Sequence, residues 1–330
     1  KVVYIADYIS EERDYEDVDV MRELSLNHSL DEAALYALKF SFKSLSKKGK
    51  LIHTDSVEYY NELIINKKEE CNMAVNVEAL FQELGNHPGV EAIALGGSRA
   101  TGRNDASSDY DVYVYLTDTI AEADRKQILD KYCRYMEIGN AFWELEDDVT
   151  LNDGIDMDII YRNMADFKKM VASVVDDCNA WNGYTTCMWH NLITFRIVFD
   201  KNGKLSALQK KYRIPYPETL KKNIISNNMK LLSGMLPSFD VQIRKAESRG
   251  DRVSINHRVT EFLASYFDVL FALNEMPHPG EKRMQSICSR ECRILPDRFD
   301  ENLNRLFDGM FRENIHPVIC DMVTELKKVI

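Results

Sequence analysis

No apolar run in these 330 residues approaches the roughly 20 that a membrane-spanning helix requires, and no secretory signal peptide is expected. The seven cysteines include no Cys-x-x-Cys pair, so the usual zinc spacing is missing. Their odd number fits reduced thiols and a cytoplasmic protein. Cys288 and Cys292, one helical turn apart, read as packing residues rather than ligands. Excess positive charge is lacking too. A formal net charge of −11 gives no field of the kind that tracks a polyphosphate backbone, so nucleic acid is set aside as a partner. Lys221-Lys222 and the run Arg244, Lys245, Arg249, Arg252 are local exceptions, but no aromatics interleave them and solvated helix faces are the commoner outcome. No internal repeat stands out. A chain of this length and ordinary apolar fraction can hold two or three domains.

What the sequence does have is concentrated in residues 96–111, Gly-Gly-Ser-Arg-Ala-Thr-Gly-Arg-Asn-Asp-Ala-Ser-Ser-Asp-Tyr-Asp. The apolar run from Val90 to Leu95 reads as a buried strand. Gly96-Gly97 lets the backbone turn sharply and bring N–H groups close to an anion, with Ser98 where a helix would begin. From Asp109 to Leu116 the chain alternates like a strand rich in branched and aromatic residues. Alternation puts Asp109 and Asp111 on one face, roughly 6–7 Å apart along the backbone, close enough to converge on a hard cation. The segment 154–161 repeats the pattern, with Asp156 and Asp158 on one face and apolar residues on the other. Taken singly, a glycine turn is usually only a turn and an Asp-x-Asp pair usually solvated surface. Their order, strand, turn, helix, strand and strand, is the stronger signal.

The Gly-Gly-Ser turn, Ser108-Asp109-Tyr110-Asp111 and a later strand carboxylate together resemble the nucleotidyltransferase superfamily that includes DNA polymerase β and the antibiotic nucleotidyltransferases. The resemblance implies an α+β fold whose core is a small mixed sheet. It implies that Gly96, Gly97 and Ser98 hold the nucleotide phosphates and that Asp109 and Asp111 bind Mg²⁺, with Mn²⁺ as the alternative. Asp158 is the expected third acid by its place before Ile159-Ile160; Asp156 shares its face and stays open. ATP or another nucleoside triphosphate would be the donor.

Residues 271–284, Phe-Ala-Leu-Asn-Glu-Met-Pro-His-Pro-Gly-Glu-Lys-Arg-Met, resemble a segment of a poorly characterised bacterial branch of the same superfamily, in which a helical domain follows the catalytic one. In physical terms Asn274 ends an apolar helix, Pro277, Pro279 and Gly280 break the chain, and 281–283 open the next helix. Lys282 could reach across a cleft to the triphosphate as a mobile point charge.

Residues 1–66 read as helical: Ser29 with Glu32 forms a capping box, 33–45 has a helical apolar period and Gly49 follows its end. The stretches 5–15 and 48–53 resemble the C-terminal half of bacterial HD-domain phosphohydrolases of the diadenosine tetraphosphate hydrolase type, and by that resemblance Asp7 is a remnant metal ligand. His28 and His53 are the only histidines there and neither precedes an aspartate, so the remaining ligands are expected upstream of Lys1, in a longer natural protein. Without them Val2, Val3 and Ile5 are expected to be exposed and to need another surface or chain.

The expected organisation is 1–66 as a truncated HD-like segment, 67–72 as linker, 73–200 as catalytic domain and 201–330 as helical substrate-binding domain. Helices are expected at 75–84, 120–136 and 164–178, with further strands at 142–146 and 193–199. The expected activity is Mg²⁺-dependent transfer of a nucleoside monophosphate, AMP first, to a hydroxyl or amine of a small-molecule acceptor. Protein adenylylation of the antitoxin type, and a non-catalytic nucleotide-binding module regulating an attached HD hydrolase, are the alternatives.

Overall fold

The computed structural model describes residues 5, 9, 10, 12, 18–27, 30–73, 75–101 and 108–330, apart from the side chains of 66–73, Ser98 and Thr101. Asp7 and His28 lie outside the described residues. The chain divides into two compact units, Lys1–Val75 and Asn76–Ile330.

The first unit contains α1 (Val18–Asn27), α2 (Leu30–Lys47) and α3 (Thr54–Met73). The helical period of α2 buries Ala33, Ala34, Leu35, Ala37 and Leu38. Gly49 ends the element in the left-handed region (φ +62°), where the Lys50 N–H reaches back to Leu45 O at 3.0 Å. Two expectations change. Ile5 is only 2% exposed and packs with Ala33, Leu38 and Leu63, so its own unit covers it. The expected linker at 67–72 is part of α3, because Lys67-Lys68-Glu69-Glu70 are good helix formers and no Gly or Pro interrupts them.

The second unit opens with α4 (Val77–Asn86), capped by Asn76, whose side chain accepts from the Ala79 N–H at 3.0 Å. There follow β1 (Val90–Leu95), α5 (Gly97–Thr101), β2 (Tyr110–Leu116), α6 (Glu122–Leu129), β3 (Cys133–Asn140), β4 (Leu145–Leu151), β5 (Asp156–Asn163), α7 (Met164–Val175), α8 (Cys187–Thr194) and β6 (Arg196–Asp200). The six strands form one sheet in the order β3-β4-β5-β2-β1-β6. β2 and β5 pair parallel and every other neighbouring pair is antiparallel. The fold is therefore α+β with a mixed sheet, as the sequence implies. The helix expected over 120–136 stops at Leu129, and its second half is β3, stabilised by a ladder to β4 that no local periodicity announces. β4 begins three residues later than the expected strand. Phe142 and Trp143 sit on the β3–β4 connection, 85% and 92% exposed.

The remainder is helical: α9 (Lys204–Tyr212), α10 (Glu218–Leu232), α11 (Phe239–Ser248), α12 (Arg252–Leu273), α13 (Met284–Glu291), α14 (Phe299–Gly309) and α15 (His316–Val329). One apolar core joins Ala92, Ala94 and Tyr115 of the sheet to Phe167, Trp189, Leu205, Leu220 and Ala272. The division drawn at 200–201 thus has a shared core on both sides. A second core, built around Phe262, Tyr266, Leu270, Leu306 and Met322, fills the space among α10–α15.

Candidate active site at the β2–β5 junction

All six residues of β1 are buried, so the chain leaves the sheet at Leu95 in a tight turn. The Gly96 N–H donates to Asp111 O at 2.8 Å, which pins the turn to β2. A Cβ on Gly96 would meet the Tyr113 ring at 2.7 Å; one on Gly97 would meet Asp111 Oδ2 at 1.8 Å. Gly97 also has φ +58°, a region where a side chain is strained. Tyr113 supports the turn from below, stacked on Phe195 at 4.7 Å and under the Arg162 guanidinium at 4.5 Å. Arg162 is itself held by Glu144 through two bonds of 2.8 and 2.6 Å. Both carboxylate oxygens of Glu144 are thus occupied by that pair.

Arg99 on α5 closes the other side. Its Nε donates to Ser108 O at 2.9 Å and Asp109 O at 3.0 Å, Nη2 also donates to Ser108 O, and its guanidinium lies 3.7 Å from the Tyr110 ring centroid. Arg99 therefore fixes the backbone from which Asp109 and Asp111 project. Sequence reasoning passed over it, although it stands inside the motif.

Parallel pairing places Asp111 opposite Asp158, and the β4–β5 ladder places Asp148 opposite Asp158. Neighbouring strands run about 4.8 Å apart, so Asp111, Asp158 and Asp148 form a row on one face. Asp156 faces Thr150 instead and accepts its hydroxyl at 2.8 Å, with an exposed side chain. Asp109 is exposed at the entrance to β2. Asp148 was missed because the expected strand ended at residue 146, whereas β4 continues to Leu151.

The electrostatics agree with this grouping. Burial, then the Asp109 carboxylate, raises the Asp111 pKa above its ordinary value, while the Lys282 ammonium pulls it down. Asp158 is raised by burial and then by Asp148, Asp111 and Asp109, again opposed by Lys282. Glu146, two positions from Asp148, is raised by burial and by Asp148, Asp158 and Glu144. Lys282, remote in sequence, therefore acts on both central carboxylates. Its segment is anchored by His278, which is fully buried between Tyr184 and Phe271. The His278 N–H donates to Thr186 Oγ1 at 2.7 Å and its Nδ1 accepts from the Gly280 N–H at 3.1 Å. Burial, assisted by His190, lowers its pKa to about 3, so it is a neutral anchor at physiological pH.

Among the described residues no group of three or more His, Cys, Asp or Glu side chains is gathered tightly enough to hold a metal ion by itself. The donor set still suits a hard divalent cation. It consists of carboxylate oxygens with no thiolate or imidazole, and a cation between Asp111 and Asp158 would offset both the burial and the mutual repulsion that raise them.

Residues 78–172 match the family model described as polymerase beta, nucleotidyltransferase, a span holding β1, the glycine turn, β2 and β5. Residues 184–284, which include His278 and Lys282, match a domain of unknown function, DUF4037. Similar solved structures include a nucleotidyltransferase-like protein from Exiguobacterium sibiricum 255-15, 14% identical over 76% of this chain and 72% of that one, with a TM-score of 0.37. Another is an aminoglycoside 6-adenyltransferase from Bacillus subtilis, 11% identical over 76% of this chain and 87% of that one, with a TM-score of 0.26. No curated protein matches the chain. No helix among the described residues is long and apolar enough to cross a membrane.

Proposed function

We propose that this chain transfers a nucleoside monophosphate, AMP first, from a nucleoside triphosphate to a hydroxyl or amine of a small molecule. The observation that carries the reading is the in-register pair Asp111 and Asp158, roofed by a glycine that leaves no room for a side chain and flanked by the charge of Lys282. The polymerase beta match over 78–172 supports nucleotidyl transfer as the reaction class.

In this reading Asp109, Asp111 and Asp158 hold Mg²⁺ or Mn²⁺. Bound there, such cations would supply a lowered pKa for the attacking hydroxyl and charge neutralisation for the triphosphate. Gly96, Gly97 and Ser98 receive the β- and γ-phosphates, with Gly97 allowing the close approach. Lys282 contributes one mobile positive charge to the leaving pyrophosphate. Asp158 takes the proton of the acceptor hydroxyl as that oxygen attacks the α-phosphorus in line and pyrophosphate leaves. Arg99 and Tyr113 position the backbone without touching the reacting atoms.

The test supplies wild type and Asp111→Asn with Mg²⁺, α-labelled ATP or GTP and a fractionated metabolite extract, and separates the labelled products. A labelled product made by wild type alone supports the assignment. Equal product from both proteins removes Asp111 from it.

A further inference from the structure

The basic run Arg244, Lys245, Arg249, Arg252 is not used by the carboxylate site. The fold turns part of it onto a cavity of 560 Å³, where α11 ends, α12 begins and the loop between α14 and α15 closes over them. Arg244, Arg252 and Arg312 all line this cavity, from three separate elements, together with Glu247, Glu313 and Phe311. Among the described residues none of the three guanidiniums forms an ion pair, and the contact found for Arg252 is with the Phe311 ring, 5.0 Å from its centroid. Three cations against two carboxylates leave a positive spot on a chain whose net charge is −11.

Two further observations point to an occupant. Phe311 has φ +74°, a left-handed conformation that is strained for an aromatic residue, yet its ring forms a partly exposed wall of the cavity. Strain of this kind persists where the surroundings over-determine it, commonly at ligand sites. Glu247 holds the loop by accepting the Ile315 N–H on Oε1 at 2.5 Å, while its buried Oε2 has no partner. The Glu247 carboxylate and three guanidiniums lining the same cavity fit a ligand that brings both negative charge and hydroxyl groups. Guanidinium forks match phosphoryl oxygens in geometry as well as charge, and the cavity has the size of ordinary small-molecule sites.

We propose that this cavity binds a small phosphate ester that also carries hydroxyls, the phosphate on Arg244, Arg252 and Arg312 and a hydroxyl on Glu247. The site is separate from the carboxylate centre. It lies at the Arg252 end of α12, and the segment carrying Lys282 leaves the other end, roughly 33 Å away for a helix of 22 residues. Its occupant would therefore be a molecule other than the nucleotide donor. The proposal does not depend on the activity assigned above.

Calorimetric titration of the full chain with ribose 5-phosphate, in EDTA, tests it. Wild type and Lys282→Ala should bind alike, since the lysine belongs to the other site. The double variant Arg244→Gln, Arg312→Gln, with both changes on exposed side chains, should retain its far-UV circular dichroism and bind at least about tenfold more weakly. Phe311→Gly, which relieves the backbone and removes the wall, should also weaken binding. Ribose alone and inorganic phosphate alone should each bind more weakly than the ester. Undiminished binding by the double variant, loss of binding on Lys282→Ala, or no binding at millimolar ester would overturn the proposal.

Discussion

A Cβ built on Gly97 falls 1.8 Å from Oδ2 of Asp111, so the glycine turn and the strand carboxylate occupy one shared space. Alanine at 97 must displace the carboxylate, the turn or both. Gly97→Ala should lower the rate of nucleotidyl transfer by about a hundredfold, the usual cost of misplacing a reacting group by an ångström. The strained φ should add about 1 kcal/mol of destabilisation. Single-turnover rates and thermal melts of the purified variant check both; full activity would mean that the contact does not shape the site.

The raised Asp111 and Asp158 carboxyls connect the site to pH. The folded state binds their protons more tightly than the unfolded chain does. Their contribution to stability is therefore present at acid pH and lost as pH rises through the raised values. In EDTA, Asp111→Asn should melt above wild type at pH 7, with the difference closing in acid. Divalent-cation affinity of wild type should fall as pH is lowered through the same range, because protons compete for the same oxygens. Melting curves and metal titrations at several pH values provide the check.

Lys282 is exposed, and its charge favours ionised Asp111 and Asp158. Lys282→Ala should leave the melting temperature nearly unchanged, raise KM for the nucleoside triphosphate by about tenfold through loss of a charged contact, and push both carboxyls further up. Steady-state kinetics against triphosphate concentration would contradict the assignment if KM stayed at the wild-type value.

Asp268, 1% exposed inside the helical region, takes the Thr185 N–H at 3.1 Å, the Thr185 hydroxyl at 2.7 Å and Asn228 Nδ2 at 3.1 Å. Burial still outweighs these bonds and raises its pKa to about 6. This is the folded value standing above the unfolded one. Its contribution is full below the ordinary carboxylate range and disappears as pH rises through about 6, a change of roughly 3 kcal/mol by pH 7. Asp268→Asn should flatten the dependence of the urea midpoint on pH between acid and neutral. An unchanged slope would place the titration elsewhere.

The parts of this arrangement written in local pattern were legible in the sequence. Val90–Leu95 is an unbroken apolar run and Tyr110–Leu116 alternates, so β1, β2 and the turn between them follow from residue order. The parity of 154–161 put Asp156 and Asp158 on one face. It took the β2–β5 register to bring Asp158 opposite Asp111 and leave Asp156 beside Thr150. β3 was hidden because its stability comes from β4, and the error there displaced β4 and concealed Asp148. The buried pair of Arg125 and Asp147, 2.6 Å apart, was likewise invisible, since both look like surface charges until the sheet covers them. The grip of Arg99 on Ser108 and Asp109 depends on how the chain returns, which spacing alone does not specify.

The single parallel pairing has a kinetic side. β2 and β5 cannot join through a short hairpin; the chain must first pass through α6, β3 and β4 before Asp158 arrives beside Asp111. Closure of such a long-range pair is slow and entropically expensive compared with the local β3–β4 contact, and two like charges meeting across it oppose the final approach. The carboxylate centre should therefore assemble late in folding, and transfer activity should be lost at milder denaturant than the helical signal.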